Sequence, residues 1–212
     1  MSNILIFRQL NLQNYKKITK KMKEFSKNRN KHSYDEIWLS QHFKNFTKGK
    51  IVKNINFIKN STIPLNNSSR GGKITFHGPG QQLIYFLLNL KKKKLKIFDL
   101  IIVFEKIIIS TLYKFNIFSH SIKNSPGIYI RFYKICSIGI SIIKGCSLYG
   151  LSFNIKMDMS PFLYIKPCGY ENIKMTQISD LCPKIKILNV LKILILECIK
   201  FLKIKNYKFN LK

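Results

Sequence analysis

The chain has little acid. Nine Asp and Glu stand against 38 Lys and Arg, a formal charge of +29 at pH 7 over 212 residues. A field of one sign steers acidic or polyanionic partners toward a protein, but the charge alone demonstrates no such partner. Lys, Ile and Asn saturate the chain, as at 27–31 (Lys-Asn-Arg-Asn-Lys) and 53–60 (Lys-Asn-Ile-Asn-Phe-Ile-Lys-Asn). A genome drifting toward A and T enriches these residues with no ligand involved. The basic residues are spread and not gathered into one patch. No helix-turn-helix, zinc or RNP pattern accompanies them, which argues against nucleic acid as the partner.

Other absences narrow the classes further. The five cysteines (Cys136, Cys146, Cys168, Cys182 and Cys198) form no CxxC pair, have no zinc-type spacing with histidine, and are odd in number. Free thiols in a reducing cytoplasm are therefore expected. No signal peptide is expected, because Met1–Arg8 is short and runs into polar sequence. The longest apolar stretches are 97–110, interrupted by Asp99, Glu105 and Lys106, and 185–202, interrupted by Lys192, Glu197 and Lys200. Neither supplies the roughly 20 uninterrupted apolar residues of a membrane span. No repeat and no long linker divides the chain.

The residues that are present predict one globular domain over 1–212, with 46% apolar residues to build its core. Tyr15, Ile18, Met22 and Phe25 recur at helical spacing, so an amphipathic helix with a basic outer face is expected to end near 28–30. Glu36–His42 alternates as a strand, 59–72 is turn-rich, and Gln82–Leu90 reads as a buried strand. Lys91–Lys94 reads as a solvated turn and Ile97–Phe115 as a helix. Short strands follow at 128–132, 135–143 and 148–154, then an irregular stretch at 154–166 and a closing helix at 185–203. Strands that bunch together predict an α+β fold, with helices packed on a mixed or antiparallel sheet.

The segment that carries chemistry is Arg70-Gly71-Gly72-Lys73-Ile74-Thr75-Phe76-His77-Gly78-Pro79-Gly80-Gln81. Its glycines let backbone approach a ligand closely. Arg70, Thr75 and His77 supply polar contacts at fixed offsets that an ordinary surface turn does not need. The stretch resembles RGG-x-x-T-x-H-x-P-G-Q, the signature of the octanoyl-carrier-protein:protein octanoyltransferases, the lipoate-protein ligase B family. Lys134–Gly139, Gly150–Asn154, Asp158–Phe162 and Pro167–Gly169 resemble the family's later segments in order, and Asp35–Leu39 fits an earlier one.

The resemblance implies a fold like the lipoate and biotin ligase catalytic domains. It also implies a reaction. An octanoyl group arrives as a thioester on the phosphopantetheine of acyl carrier protein and is taken by a cysteine. It then passes to a lysine of a lipoyl domain, in a 2-oxo acid dehydrogenase or the glycine cleavage H protein. Neither ATP nor metal is needed, because the thioester is already activated. Cys168 matches the nucleophile and Lys134 the lysine that favours the thiolate and shuttles its proton. Substrate contacts carry over to Arg70, Gly71, Gly72, Lys73, Ile74, Thr75, Phe76 and His77, to Ser137, Ile138 and Gly139, and to Gly150, Leu151 and Ser152. Backbone N–H groups of the last two segments are expected to hold the developing oxyanion.

Cys136, Cys146, Cys182 and Cys198 are expected to be structural, with Cys136, two residues after Lys134, near the site if both lie on one strand face. His32, His42 and His120 are expected to be satisfied surface or core histidines. The sequence departs from the family once: Tyr149 stands where a histidine is usual, and activity is expected to be retained. Two other readings remain: an ATP-dependent ligase of the lipoate/biotin type, and an inactive binder of acyl carrier protein.

Overall fold

The computed structural model describes residues 4–51, 61–165 and 174–211. The chain opens with a strand, β1 (Ile4–Gln13), and continues into α1 (Tyr15–Lys27). Asn14 caps α1 by accepting from the Lys17 N–H at 3.3 Å. Tyr15, Ile18, Met22 and Ser26 are its buried stripe, while most of its lysines face water. Next come β2 (Asp35–His42), β3 (Asn45–Lys48), β4 (Leu65–Asn67), β5 (Ile74–His77) and β6 (Gln81–Leu87). The predicted loop at 59–72, as far as it is described, therefore contains a short strand.

A single helical turn, α2 (Leu90–Lys93), leads to α3 (Ile97–Tyr113). The run expected as a solvated turn is this helical turn. Asn89 caps it through the Lys92 N–H at 3.0 Å, and Lys94 closes it with φ 52°. Strands β7 (His120–Ile122), β8 (Ser125–Ile130), β9 (Tyr133–Ile143) and β10 (Cys146–Asn154) follow, then a 3-10 turn at Ser160–Tyr164. The chain closes with β11 (Lys174–Met175), α4 (Ile178–Leu181), α5 (Ile187–Phe201) and β12 (Asn206–Leu211).

Among the described residues, nine strands form one mixed sheet in the order β12-β1-β2-β6-β10-β9-β8-β7, with β11 added beside β9. β1 runs parallel to both β2 and β12, and the pairs from β2 to β7 along the sheet are antiparallel. A smaller sheet, β4-β3-β5, carries the glycine-rich signature. The expected mixed sheet with packed helices is what forms. The two terminal strands were not anticipated. β1 escaped notice because Arg8 interrupts its apolar alternation. That charge is met by Glu36 of β2, which accepts from Arg8 Nη2 at 2.7 Å.

β6 shows how the core is divided. All seven of its residues are buried, as a strand covered on both faces requires. Ile84 and Phe86 point to a core shared with α3 and α5; Leu83, Tyr85 and Leu87 point to α1 with Ile18, Met22 and Trp38. The Phe86 and Phe104 rings stack at 4.0 Å. Phe104→Ala should lower stability by about 3–5 kcal/mol through lost burial and a residual cavity. A urea titration reads this directly, and a loss under about 1 kcal/mol would mean that the α3 face repacks freely. Among the described residues no helix is long and apolar enough to cross a membrane.

Candidate active site

Most of the residues singled out in the sequence converge on a cavity of about 370 Å³. It lies where β9 runs on past the end of β8, beneath the signature loop. Its walls are mostly apolar, with Ile74, Leu83, Ile138, Ile140 and Leu151 among them. Fifteen of the sixteen residues expected from the sequence can be located, and fourteen of them line it: Arg70, Gly71, Gly72, Lys73, Ile74, Thr75, His77, Lys134, Ser137, Ile138, Gly139, Gly150, Leu151 and Ser152. Cys168 lies outside the described residues. Phe76 does not reach the cavity. β5 alternates, so Thr75 and His77 face it while Phe76 turns into a separate cluster, with the Phe46 and Phe162 rings each 5.6 Å away.

Lys134 is 2% exposed, an unusual state for a lysine. The local chain is shaped around it. Its Nζ donates to the Pro126 carbonyl at 3.0 Å and lies 5.1 Å from the centre of the Tyr129 ring. Gly127 has φ 143°, and a Cβ there would press on Lys134 Cε and stand 2.9 Å from its Nζ. In the sequence Pro126-Gly127 is expected only to open the run of short strands that begins at 128. Its real work, making room for the lysine, depends on β8 lying beside β9. Glu105 of α3 adds a carboxylate nearby. Burial raises its pKa, while bonds from Gly127 and Ser121 and the charge of Lys134 oppose that rise.

Cys136 is not a site residue. The β8–β9 register shifts between Ile128 and Tyr129, so Ile135 is an extra residue and Cys136 falls out of phase with Lys134. Cys136 packs in the α3/α5 core, where burial pushes its thiol pKa well up. Burial likewise raises Cys146 and Cys198. None of the four described cysteines lines the cavity. The oxyanion role expected for Gly150–Ser152 N–H groups also does not fit. β10 is paired there with both β6 and β9, so the ladder engages those groups.

Arg70 and His77 do structural work at the cavity wall. The Arg70 guanidinium donates to the carbonyls of Gly71, Thr47 and Lys73 and to Thr47 Oγ1, all at 2.8–2.9 Å. Gly139 leaves space for this side chain, since its Cβ would meet Arg70 Cδ at 3.0 Å. Thr47 Oγ1 bonds His77 Nε2 at 3.1 Å, and His77 Nδ1 bonds Gln81 Oε1 at 2.7 Å. Gln81 Nε2 donates to Asn154 Oδ1, and Asn154 donates to the Thr176 carbonyl, both at 2.9 Å. Donors and acceptors agree along the whole chain when His77 is neutral with its proton on Nδ1.

Burial, aided by His42 and Arg70, lowers the His77 pKa to about 3. His42, also on this side of the sheet, bonds the Gln13 carbonyl at 2.9 Å and the Tyr85 hydroxyl. It is the satisfied core histidine expected, with burial lowering its pKa to about 4. Neither ring is a proton shuttle at neutral pH. Tyr15, Tyr85 and Tyr149 line the cavity as well. Their residue type carried no signal in the sequence beyond an apolar helical stripe, a buried strand, and the substitution at 149.

Comparison with known proteins gives the family and the fold. The family described as the lipoyl protein ligase A/B catalytic domain matches residues 14–199. An octanoyltransferase of Wigglesworthia glossinidia brevipalpis is 48% identical over 208 residues, covering 98% of this chain and 96% of that one. An octanoyltransferase of Sodalis glossinidius is 45% identical over 203 residues, covering 96% and 93%. Among solved structures, the bipartite lipoate protein ligase of Thermoplasma acidophilum superposes with a TM-score of 0.77, covering 100% of this chain and 88% of that one. At 13% identity that likeness is one of fold.

Proposed function

The chain belongs to the lipoyl protein ligase A/B catalytic-domain family, as an acyltransferase akin to the octanoyltransferases, and on that premise we propose a two-step transfer through a cysteine thioester. Cys168 attacks the carbonyl of an octanoyl thioester carried by the phosphopantetheine of acyl carrier protein. The carbon–sulfur bond to the carrier breaks, a new thioester to Cys168 forms, and the carrier leaves as its thiol. The amine of a lipoyl-domain lysine then attacks, an amide forms, and the Cys168 thiol is restored. Lys134 takes the proton from Cys168 in the first step, hands it to the departing thiol, and relays the amine proton in the second. The acyl group enters already activated, so neither ATP nor a metal takes part. The acceptors are lipoyl domains of 2-oxo acid dehydrogenases and the glycine cleavage H protein.

The observation that carries this reading is a buried lysine in an apolar cavity of about 370 Å³. Pockets of this size bury small apolar ligands. The assignment of Cys168 rests on its match to the family's nucleophile. The described chain resumes at Lys174, Met175 pairs with Lys134, and the Thr176 N–H donates to the Lys134 carbonyl at 3.0 Å. Cys168 is only a few residues upstream of that point. None of the four described cysteines lines the cavity, which supports the choice of Cys168 made from the family match.

Intact-protein mass spectrometry tests the reading. Mixing the protein with octanoyl-acyl carrier protein and no acceptor should add one octanoyl mass, which is absent in Cys168→Ser and released by a lipoyl domain. The ligase fold favours one rival. If no adduct forms, and ATP with free octanoate instead yields octanoylated lipoyl domain, the chain is a ligase and the proposal fails.

A further inference from the structure

Tyr149 has a left-handed backbone, with φ 68°, inside strand β10. Every other described non-glycine residue with positive φ is solvent-exposed, whereas Tyr149 is 3% exposed. A bulky buried side chain in that region is a true outlier, and such strain persists only where the surroundings impose it. Its effect is visible in the packing. Leu148 and Tyr149 are consecutive, yet both join the cluster on the α1 side of the sheet. A regular strand would send them to opposite faces. The twist therefore brings a tyrosine ring to the cavity that would otherwise point into the α3/α5 core.

The ladder tells where along the cavity this ring stands. Ser152 pairs with Ser137, and Tyr149 pairs with Ile140. At roughly 3.4 Å per residue, Tyr149 is about 10 Å along the strands from the serine pair. Lys134 lies on the opposite side of that pair, so Tyr149 and Lys134 mark the two ends. Between them, on the face that Tyr149 joins, the cavity is lined by Leu83, Ser137, Gly139, Gly150 and Ser152, while Ile138, Ile140 and Leu151, which also border it, pack toward the α3/α5 core. The remote end is closed by rings held in place. Tyr149 and Ser69 share a hydrogen bond at 3.0 Å, Tyr15 donates to Ser68 at 2.7 Å, and the Tyr85 and Tyr149 rings meet edge-on at 6.4 Å.

We propose that Tyr149 is a specificity-determining residue that ends the acyl slot and so sets the length of chain the enzyme accepts. The inference rests on the acyl-transfer reading for its substrate class. A longer tail would have to push aside a ring anchored by its hydroxyl and by two neighbouring tyrosines. A shorter one would leave apolar wall without contact.

The test compares hexanoyl-, octanoyl-, decanoyl- and dodecanoyl-acyl carrier protein as donors, alongside the affinity of the protein for the free fatty acids of the same lengths. Tyr149→Gly removes the stop and suits the left-handed backbone, and Tyr149→Ala serves if the glycine variant does not fold. The opened variant should raise the dodecanoyl-to-octanoyl ratio of kcat/KM at least tenfold. Tyr149→Phe, which keeps the ring, should hold the wild-type ratio. A folded opened variant with an unchanged ratio and unchanged fatty-acid profile overturns the inference alone. Fatty-acid affinities that shift toward longer chains, in a protein that transfers no acyl group, would support the stop and overturn the acyl-transfer reading.

Discussion

Gly127→Ala is expected to lower kcat about a hundredfold in the protein that folds, and to lower its stability as well. The new Cβ would stand 2.9 Å from Lys134 Nζ and 2.6 Å from the Cys136 carbonyl oxygen. The lysine must give way, and because the carbonyl belongs to a paired strand the backbone at 127 is strained as well, its φ of 143° being one that side-chain-bearing residues rarely adopt. Lys134 would leave both the Pro126 carbonyl and the Tyr129 ring that now hold it. A misplacement of about 1 Å costs on the order of a hundredfold when the displaced group takes part in the reaction. Loss of a general acid–base costs about a hundred- to ten-thousandfold. The glycine acts through the lysine, so the effects should not add. Lys134→Ala with Gly127→Ala should be no slower than Lys134→Ala alone. A folded Gly127→Ala protein with wild-type kcat would show that Lys134 need not stand where the cradle holds it.

Acid should destabilise this protein strongly between pH 6.5 and 4. Burial lowers the pKa of His42 to about 4 and of His77 to about 3, from an ordinary 6.5. Both rings are neutral in the folded state through that window, while in the unfolded chain both take up a proton. The unfolded state binds more protons, so stability rises with pH and falls on acidification. Each histidine contributes up to about 1.4 kcal/mol per pH unit, so roughly 2–3 kcal/mol should be lost between pH 6 and 5. The contribution is complete above pH 6.5, and its loss levels off near pH 4 for His42 and pH 3 for His77.

The bonds to Gln81 at His77 and to the Gln13 carbonyl at His42 oppose the shift, but burial outweighs them. Arg70 and the second histidine repel a proton on His77, and Tyr15, Tyr85, Thr47 and Gln81 carry no formal charge to attract one. Urea titrations at pH 7, 6 and 5 measure the slope, and NMR of the imidazole protons identifies its source. Rings that titrate near 6.5 in the folded protein would contradict the assignment of His77 as a neutral, network-bound hub.

The chemistry was legible along the chain because it is written in residue types at short spacing. Arg70–Gln81 showed a glycine-rich loop with polar side chains at fixed offsets. The periodicity of Tyr15, Ile18 and Met22 showed α1, and the long apolar patterns showed α3 and α5. These signals are local: an amphipathic stripe or a turn needs only its own neighbours. The bunching of strands likewise announced a mixed sheet with helices packed on it.

What the tertiary structure decided involves partners far apart in the chain. Arg8 sits in a strand because Glu36 meets its charge. Arg70 clamps a loop through Thr47, and His42 is silenced by burial between elements distant in sequence, where it bonds Gln13 and Tyr85. Cys136 was expected beside Lys134 because strands alternate, and one bulge residue sent it into the core. Gly127 looked only like the opening of a run of short strands until β8 lay against Lys134. Tyr149 looked like a substitution until its backbone proved to be inverted at the far end of the cavity. Residue type and spacing determine which chemistry is possible. Register, bulges and backbone inversion depend on which distant strands pair, and pairing is settled only when the whole sheet packs against its helices.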